Sequence, residues 1–315
     1  MHLFVTGGTG QTGPAVVAEL VAAGHTVTGL ARSTAAAARL ESLGAKAHRG
    51  SLEDLDSLRA GAENADGVLH MAYGGDFADP DDLIRRDRAA IEALGQALAG
   101  TGKPLVSTSG TLVMRPGRVA TEQDAPDPGS VAAFRIAGER ACLDFAERGV
   151  RASVVRLAPT VHGPSDHGFV PALIAAARRA GVSAYLGDGT NRWPAVHRFD
   201  AARLFRLALE KAPAGSVLHG VAESAVTVRS IAERIGRVLG VPTVSLTLDE
   251  AAKHLGNPFL ARFFSLDVPV SSEHTRALLG WTPEHKGLLE DLETGDYFTP
   301  EASRRAEEIW LAHSN

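Results

Sequence analysis

Short apolar, β-branched runs alternate along the first half of the chain with longer stretches whose apolar positions recur every three to four residues. The runs HLFVTG, HTVTGLAR, AKAHRG, GVLHMAY, PLVSTSG and RASVVRLA read as strands. Between them PAVVAELVAAG, TAAAARLESLG, LDSLRAGAE and DDLIRRDRAAIEALGQALAGTG carry the helical period. This alternation predicts a parallel, doubly wound sheet with right-handed crossovers. The continuous apolar character of several strands predicts burial on both faces. SVAAFRIAGERACLDFAERGV, residues Ser130 to Val150, reads as one long helix entered from the loop DAPDPGS.

Past Ala158 the pattern changes. Short strands (SAYLG, SVLHGVA, TVSLTL) mix with helices (VPALIAAARRAG, DAARLFRLALEKA, TVRSIAERIGRVLG) and turn-rich pieces such as GDGTNRWP. The expected organisation is a dinucleotide-binding domain over 1–158 and a smaller α/β substrate-capping region over 159–315, partly interleaved with it. The tail EASRRAEEIWLAHS reads as a docking helix.

Composition narrows the function classes. The 315 residues are 44% apolar and 22% charged with a net charge of −5, the profile of a globular domain that buries a large core. No Lys/Arg block suggests a nucleic-acid partner. Apolar runs fall short of the ~20 residues that span a bilayer, and the start MHLFVTGG has no leader pattern, so a cytoplasmic protein without a membrane partner is expected. The single Cys142 and the scattered His give no zinc-type spacing; no metal is expected, and mid-helix Cys142 reads as a small core residue.

VTGGTGQTGP places Gly7, Gly10 and Gly13 between the first strand and the first helix. Such a loop needs backbone conformations that most side chains forbid, and lets the backbone approach a pyrophosphate closely. The helix behind it offers free N–H groups and a positive dipole end, with Pro14 suited to its first turn. The second strand ends TGLARS, with no acid for a ribose 2′-hydroxyl but with Arg32 and Ser33 in place. Arg32 suits a 2′-phosphate, so NADP(H) is favoured over NAD(H).

These motifs resemble the short-chain dehydrogenase/reductase superfamily in its extended, epimerase/dehydratase-like and atypical branches. TGGTGQTG is similar to the TGxxGxxG loop of that branch, HRGSLEDLDSL to its third-strand segment with Ser51 in place of Asp, and VLHMAY to its fourth strand. VSTSGTLVM resembles the fifth strand, VVRLAPTVHGP the sixth, RWPAVHRFDAARL the VHV-D-A segment, and LGWTP the C-terminal signature. The resemblance implies a Rossmann-type fold with the cofactor along Thr6, Gly7, Gly10, Gln11, Thr12 and Gly13, past Ala72, and with Pro159 near the nicotinamide. It also implies a catalytic hydroxyl at Ser109. Members of the family are monomers or homodimers acting on small-molecule substrates.

The departure is equally specific. The family's general acid is a Tyr whose pKa is lowered by a Lys four residues on, both on one helix face. Counting on from Ser109 reaches Phe134 and Gly138, and none of Tyr73, Tyr185 or Tyr297 begins a Y-x-x-x-K. Phe134 is then expected to line the substrate space, and Gly138 to leave room beside the cofactor. Arg135 and Glu139 read as a solvated i,i+4 pair. Replacement proton donors are sought in His162 and His197, with His167 behind them, and Tyr73 is near enough in sequence to the fourth strand to reach the pocket. Arg192, Trp193 and His197 are candidates for holding a polar or anionic ring, and Asp200 for capping the helix that follows. Three functions remain open: an NADP(H)-dependent oxidoreductase on a carbonyl or alcohol, a non-redox isomerase or lyase using a His, and an NADP(H)-sensing protein without catalysis.

Overall fold

The computed structural model describes residues 1–74 and 79–310. The strands are β1 (His2–Thr6), β2 (Thr26–Ala31), β3 (Lys46–Arg49), β4 (Gly67–His70), β5 (Pro104–Gly110), β6 (Arg151–Leu157), β7 (Thr160–His162), β8 (Ser183–Leu186), β9 (Arg192–His197), β10 (Ser216–Gly220), β11 (Glu223–Thr227) and β12 (Thr243–Leu246). The helices are α1 (Gly13–Ala22), α2 (Thr34–Ser42), α3 (Leu55–Glu63), α4 (Pro80–Leu98), α5 (Ile136–Leu143), α6 (Phe169–Ala180), α7 (Arg198–Lys211), α8 (Val228–Leu239), α9 (Leu248–Leu255), α10 (Pro258–Phe264), α11 (Glu273–Leu279), α12 (Leu288–Thr294) and α13 (Pro300–Trp310).

Seven parallel strands form the main sheet in the order β10-β6-β5-β4-β1-β2-β3. Its strands alternate between two cores, as a doubly covered sheet requires. Leu3 and Val5 of β1 enter one core with Val16, Val17 and Leu20 of α1 and Leu204 and Phe205 of α7. Phe4 enters the other with Leu58 of α3, Ile91 and Leu94 of α4 and Cys142 of α5. The strand order reverses between β1 and β4, the crevice where open α/β sheets take ligands. Two small sheets, β11-β9-β7 and β12-β8, lie in the C-terminal part, where Ala195 of β9 and Val226 of β11 join a third core with Val170, Ile174, Ile231, Ile235, Leu288 and Leu292.

Two expectations change. The segment SVLHGVA is assigned from sequence to the cap, but it is β10. Within residues 198–220, α7 packs on α1 and β10 joins the edge of the main sheet beside β6. The long helix over 130–150 is broken into a 3₁₀ turn at Ala133–Arg135, the two turns of α5, and a second 3₁₀ stretch at Asp144–Arg148 closed by left-handed Gly149. Phe145 explains the second break in part: its ring lies where a side chain on α4's Gly95 would stand, a Cβ there falling 2.4 Å away.

Candidate functional site

The glycine loop leaves β1 at Thr6, whose buried hydroxyl meets His70 Nδ1 at 2.8 Å and accepts a hydrogen bond from the Ala72 N–H at 3.3 Å. Gly7 has φ +75°, and a Cβ there would lie 2.6 Å from the Ala72 nitrogen. A Cβ on Gly13 would lie 2.2 Å from the Gly7 carbonyl oxygen, and the Gly10 N–H closes the turn on that oxygen at 3.0 Å. The loop is therefore pressed against the end of β4 with no room for side chains. Thr12 caps α1 without a side-chain bond, and α1 has no acid in its first turn. The first-turn N–H groups are left to an anion, the form a pyrophosphate needs. This cradle fits a dinucleotide.

At the adenosine end of such a ligand, Arg32 and Ser33 are exposed at the end of β2. The Ser33 hydroxyl caps α2, accepting from the Ala36 N–H at 3.1 Å. A second cation stands here that the sequence reading missed. Arg49 pairs in register with Ala31 and donates to the Thr34 hydroxyl at 3.1 Å. Its signal in the sequence was the basic end of AKAHRG, legible only once β3 is known to lie beside β2.

Gln11 does not reach out to solvent. Its side chain donates to Asp166 and accepts from the His167 N–H at 3.1 Å, while its carbonyl takes a bond from Arg198. Gln11 thus ties the glycine loop to the turn after β7. Asp166 is buried there with the Tyr297 hydroxyl at 2.8 Å, and burial raises its pKa above the ordinary carboxylate value. Pro159 is half-buried between β6 and β7.

Ser109 lies near the carboxyl end of β5, 5% exposed, and its hydroxyl has no partner among the described residues. The hydroxyls of Thr108 and Thr111 beside it are in the same state. Opposite stands the helix where the family keeps its Tyr and Lys. Phe134 is half-buried, its ring stacked on Tyr73 at 6.0 Å between centroids. Gly138 does not leave a vacancy, contrary to expectation. A Cβ there would fall 2.3 Å from Asp87 Oδ2, so the carboxylate of α4 fills the space. Asp87 sits between His70 Nε2 at 3.4 Å and Arg135 Nη1 at 3.7 Å.

The expected Arg135–Glu139 surface pair is also absent. Glu139 is buried and bidentate to Arg156 of β6, at 2.8 Å from Nη2. Arg135 turns inward, donates to the Thr108 carbonyl and lays its guanidinium 3.6 Å from the Tyr73 ring centroid. Burial raises the Tyr73 phenol pKa, opposed by the Arg135 charge.

The histidines are corrected. His162 is fully buried, its Nδ1 2.8 Å from Asp291 Oδ2, and its ring meets His197 edge-on at 5.2 Å. His197 is 3% exposed, caps α7 by accepting from the Phe199 N–H, and stacks flat on His285. Burial, reinforced by His162 and His285, lowers its pKa to about 4. Neither ring offers a face to a substrate. His162, His197 and Asp291, far apart in sequence, nonetheless form a group whose ligand atoms lie within 4.8 Å of one another. Asp291 is already matched there by Lys286 at 3.0 Å.

Trp193 is likewise corrected: it is 1% exposed, stacked on Phe264 at 5.0 Å, and donates to the Leu266 carbonyl, which leaves no surface for a ring substrate. Arg192 lines an open cavity of about 850 Å³ with Asp188, Glu250 and Asp267. Its guanidinium is held bidentately by Asp267 at 2.8 and 2.7 Å. Asp200 does not cap α7; its carboxylate accepts from the Glu284 and His285 N–H groups and fixes the LGWTP turn. Cys142 is buried, donates weakly to the Ser153 carbonyl, and burial pushes its thiol up to about 12.

A parallel sheet whose order reverses beside a glycine cradle defines an α/β protein of the dinucleotide-binding class. The chain belongs to the NAD dependent epimerase/dehydratase family, whose profile matches residues 3–219. It is 47% identical over 300 residues to an uncharacterized protein of Schizosaccharomyces pombe, covering 95% of this chain and all (100%) of that one. It is 28% identical over 268 residues to the 4-hydroxy-2-methyl-3-oxo-4-farnesyl-3,4-dihydroquinoline-1-oxide ketoreductase of Stigmatella aurantiaca, covering 81% of this chain and 80% of the other. Among solved structures, MoeE5 in complex with UDP-glucose and NAD superposes with a TM-score of 0.77 at 25% identity, over 97% of this chain and 99% of that one. Among the described residues no helix is long and apolar enough to cross a membrane.

Proposed function

We propose that the chain is an oxidoreductase that holds NADP(H) along its glycine loop and interconverts a small carbonyl compound with its alcohol. The observation that carries this reading is Ser109. A buried hydroxyl near the carboxyl edge of β5 with no partner among the described residues costs stability unless a ligand uses it, and a substrate oxygen reaching it on binding would supply that use. Gly7, Gly10, Gly13 and the first turn of α1 would hold the pyrophosphate. When bound, a reduced nicotinamide supplies a hydride. The protein's own share is to orient the carbonyl, exclude water and deliver a proton.

Arg32 and Arg49 at the ends of adjacent strands, with no acid on β2, support NADP(H) over NAD(H). The likeness to a ketoreductase supports carbonyl chemistry.

A second reading, an NADP(H)-binding regulator without turnover, draws on Phe134 and on Asp87 filling the lysine position. The non-redox reading draws less support, because His162 is engaged by Asp291 and His197 caps α7. Calorimetric titration of stripped protein with NADPH and NADH, followed by NADPH oxidation with a carbonyl panel, tests the proposal. Micromolar NADPH binding with consumption of one NADPH per alcohol formed supports the oxidoreductase. Binding without turnover of any carbonyl favours the regulator, and binding of neither nucleotide refutes both.

A further inference from the structure

The family's acid and its cation are missing from positions 134 and 138, yet a phenol and a cation stand in contact beside them. Tyr73, half-buried just beyond β4, stacks on Phe134 with the rings inclined by 23°. Arg135 covers the same phenol, its guanidinium carbon 3.6 Å from the ring centroid, a cation–π geometry. Arg135 is fixed from two other sides. It donates to the carbonyl of Thr108, the residue before Ser109, and it faces Asp87 at 3.7 Å. Its Nη1 is buried without a hydrogen-bond partner among the described residues. One guanidinium therefore bridges the serine strand, the phenol and the carboxylate that took the place of a lysine.

We propose that Tyr73 is the proton donor of this site and that Arg135 is its positioning cation, a Tyr/cation pair rebuilt across β4 and the start of α5. The proposal rests on the carbonyl-reducing reading above. In that reaction the substrate carbon takes a hydride, supplied by a reduced nicotinamide dinucleotide. The substrate oxygen, held by Ser109, takes the phenolic proton and becomes the alcohol. The Tyr73 phenolate that remains regains its proton from water, and Arg135 offsets its charge in the interval. Among the described residues the charged groups that face the phenol include Arg135, which favours the phenolate, and Asp87, which disfavours it. Burial raises the phenol's pKa and the Arg135 charge opposes that rise, so the resting phenol carries its proton and Arg135 is the group that eases its release.

With only three tyrosines in the chain, the pair can be read without turnover. Tyrosinate absorbance is titrated in the wild type, Tyr73→Phe, Arg135→Lys and Arg135→Met, and the component lost in Tyr73→Phe belongs to Tyr73. That component is expected to move to higher pH in Arg135→Met and to stay near its wild-type position in Arg135→Lys. In parallel, Tyr73→Phe is expected to lower kcat for NADPH-dependent reduction of phenanthrenequinone, a general carbonyl probe, by ~10²–10⁴-fold while calorimetric NADPH affinity is retained. An unmoved tyrosinate component in Arg135→Met overturns the pairing. Full turnover by Tyr73→Phe overturns the donor assignment alone. A wild-type protein that binds NADPH but reduces neither this probe nor any panel carbonyl overturns the parent reading, and this proposal with it.

Discussion

Replacing Gly138 by alanine tests whether Asp87 fills the space beside this position. Alanine is the better helix former by up to ~1 kcal/mol, so on propensity alone the change would stabilise α5. The structure predicts the opposite. The new methyl would lie 2.3 Å from Asp87 Oδ2 and 3.3 Å from Ile91 Cδ1. Asp87 must retreat by roughly 1 Å to reach ordinary contact. It is 5% exposed and set between His70 and Arg135, so it cannot swing into solvent. Overpacking of this kind costs about 1–3 kcal/mol, leaving a net loss of up to ~2 kcal/mol after the propensity gain. Equilibrium urea denaturation of wild type, Gly138→Ala, Asp87→Ala and the double variant forms a cycle in which the intrinsic cost of losing Asp87 cancels. In the Asp87→Ala background the alanine should become neutral or stabilising, a coupling above ~0.5 kcal/mol. A Gly138→Ala protein more stable than wild type, or a coupling below that value, refutes the placement of Asp87.

Three further outcomes follow from the same geometry. Ser109→Ala removes a hydroxyl that has no partner, so the unfolding midpoint should stay within about 0.5 kcal/mol of wild type or rise. Turnover of any accepted carbonyl should fall ~10²-fold; unchanged turnover would remove Ser109 from the site. Arg32→Ala and Arg49→Ala should each weaken NADPH binding by ~10-fold or more, on the scale of a lost charge-assisted bond, while leaving NADH binding nearly unchanged; equal losses for both nucleotides in calorimetry would refute a 2′-phosphate site. His197 is buried neutral with its pKa lowered to about 4, so the unfolded chain binds this proton more readily than the native one. Its contribution to stability is complete above the ordinary His pKa of about 6.5 and is lost as pH falls from there through about 4. Urea midpoints followed across that window should fall, and His197→Asn, which can still cap α7, should flatten the decline; an unchanged slope would show that other groups carry it.

The main sheet was legible because its code is local. Short apolar strands, helical stretches and a glycine loop whose neighbours are a strand and a helix leave few topologies open, and β1 to β6 fall where those runs put them. The C-terminal half was less legible because its strands are short and their partners distant. Nothing in SVLHGVA distinguishes a cap strand from β10, which belongs to the main sheet only because β6 has a free edge. The long helix at 130–150 failed for a tertiary reason in the same way, its periodicity being real but its last turns set by how Phe145 packs on Gly95.

The site shows the same division more sharply. Motif spacing located the absence of the Tyr–Lys pair, because that pair is a local i,i+4 arrangement and its loss is visible in one helix. Two of the groups beside it, Tyr73 and Asp87, come from other elements, and no spacing rule links them to Arg135. Composition also misled where charge was concerned. Arg135 with Glu139, and Arg192 in a basic-looking turn, read as solvated or ligand-binding, whereas Glu139 turns to Arg156 and Arg192 to Asp267. A buried carboxylate selects the cation that compensates it most completely, and sequence neighbours have no priority in that choice. The glycine at 138 belongs to this logic. The charge beside this position arrives from Asp87 of α4, and a helix residue without a side chain admits it.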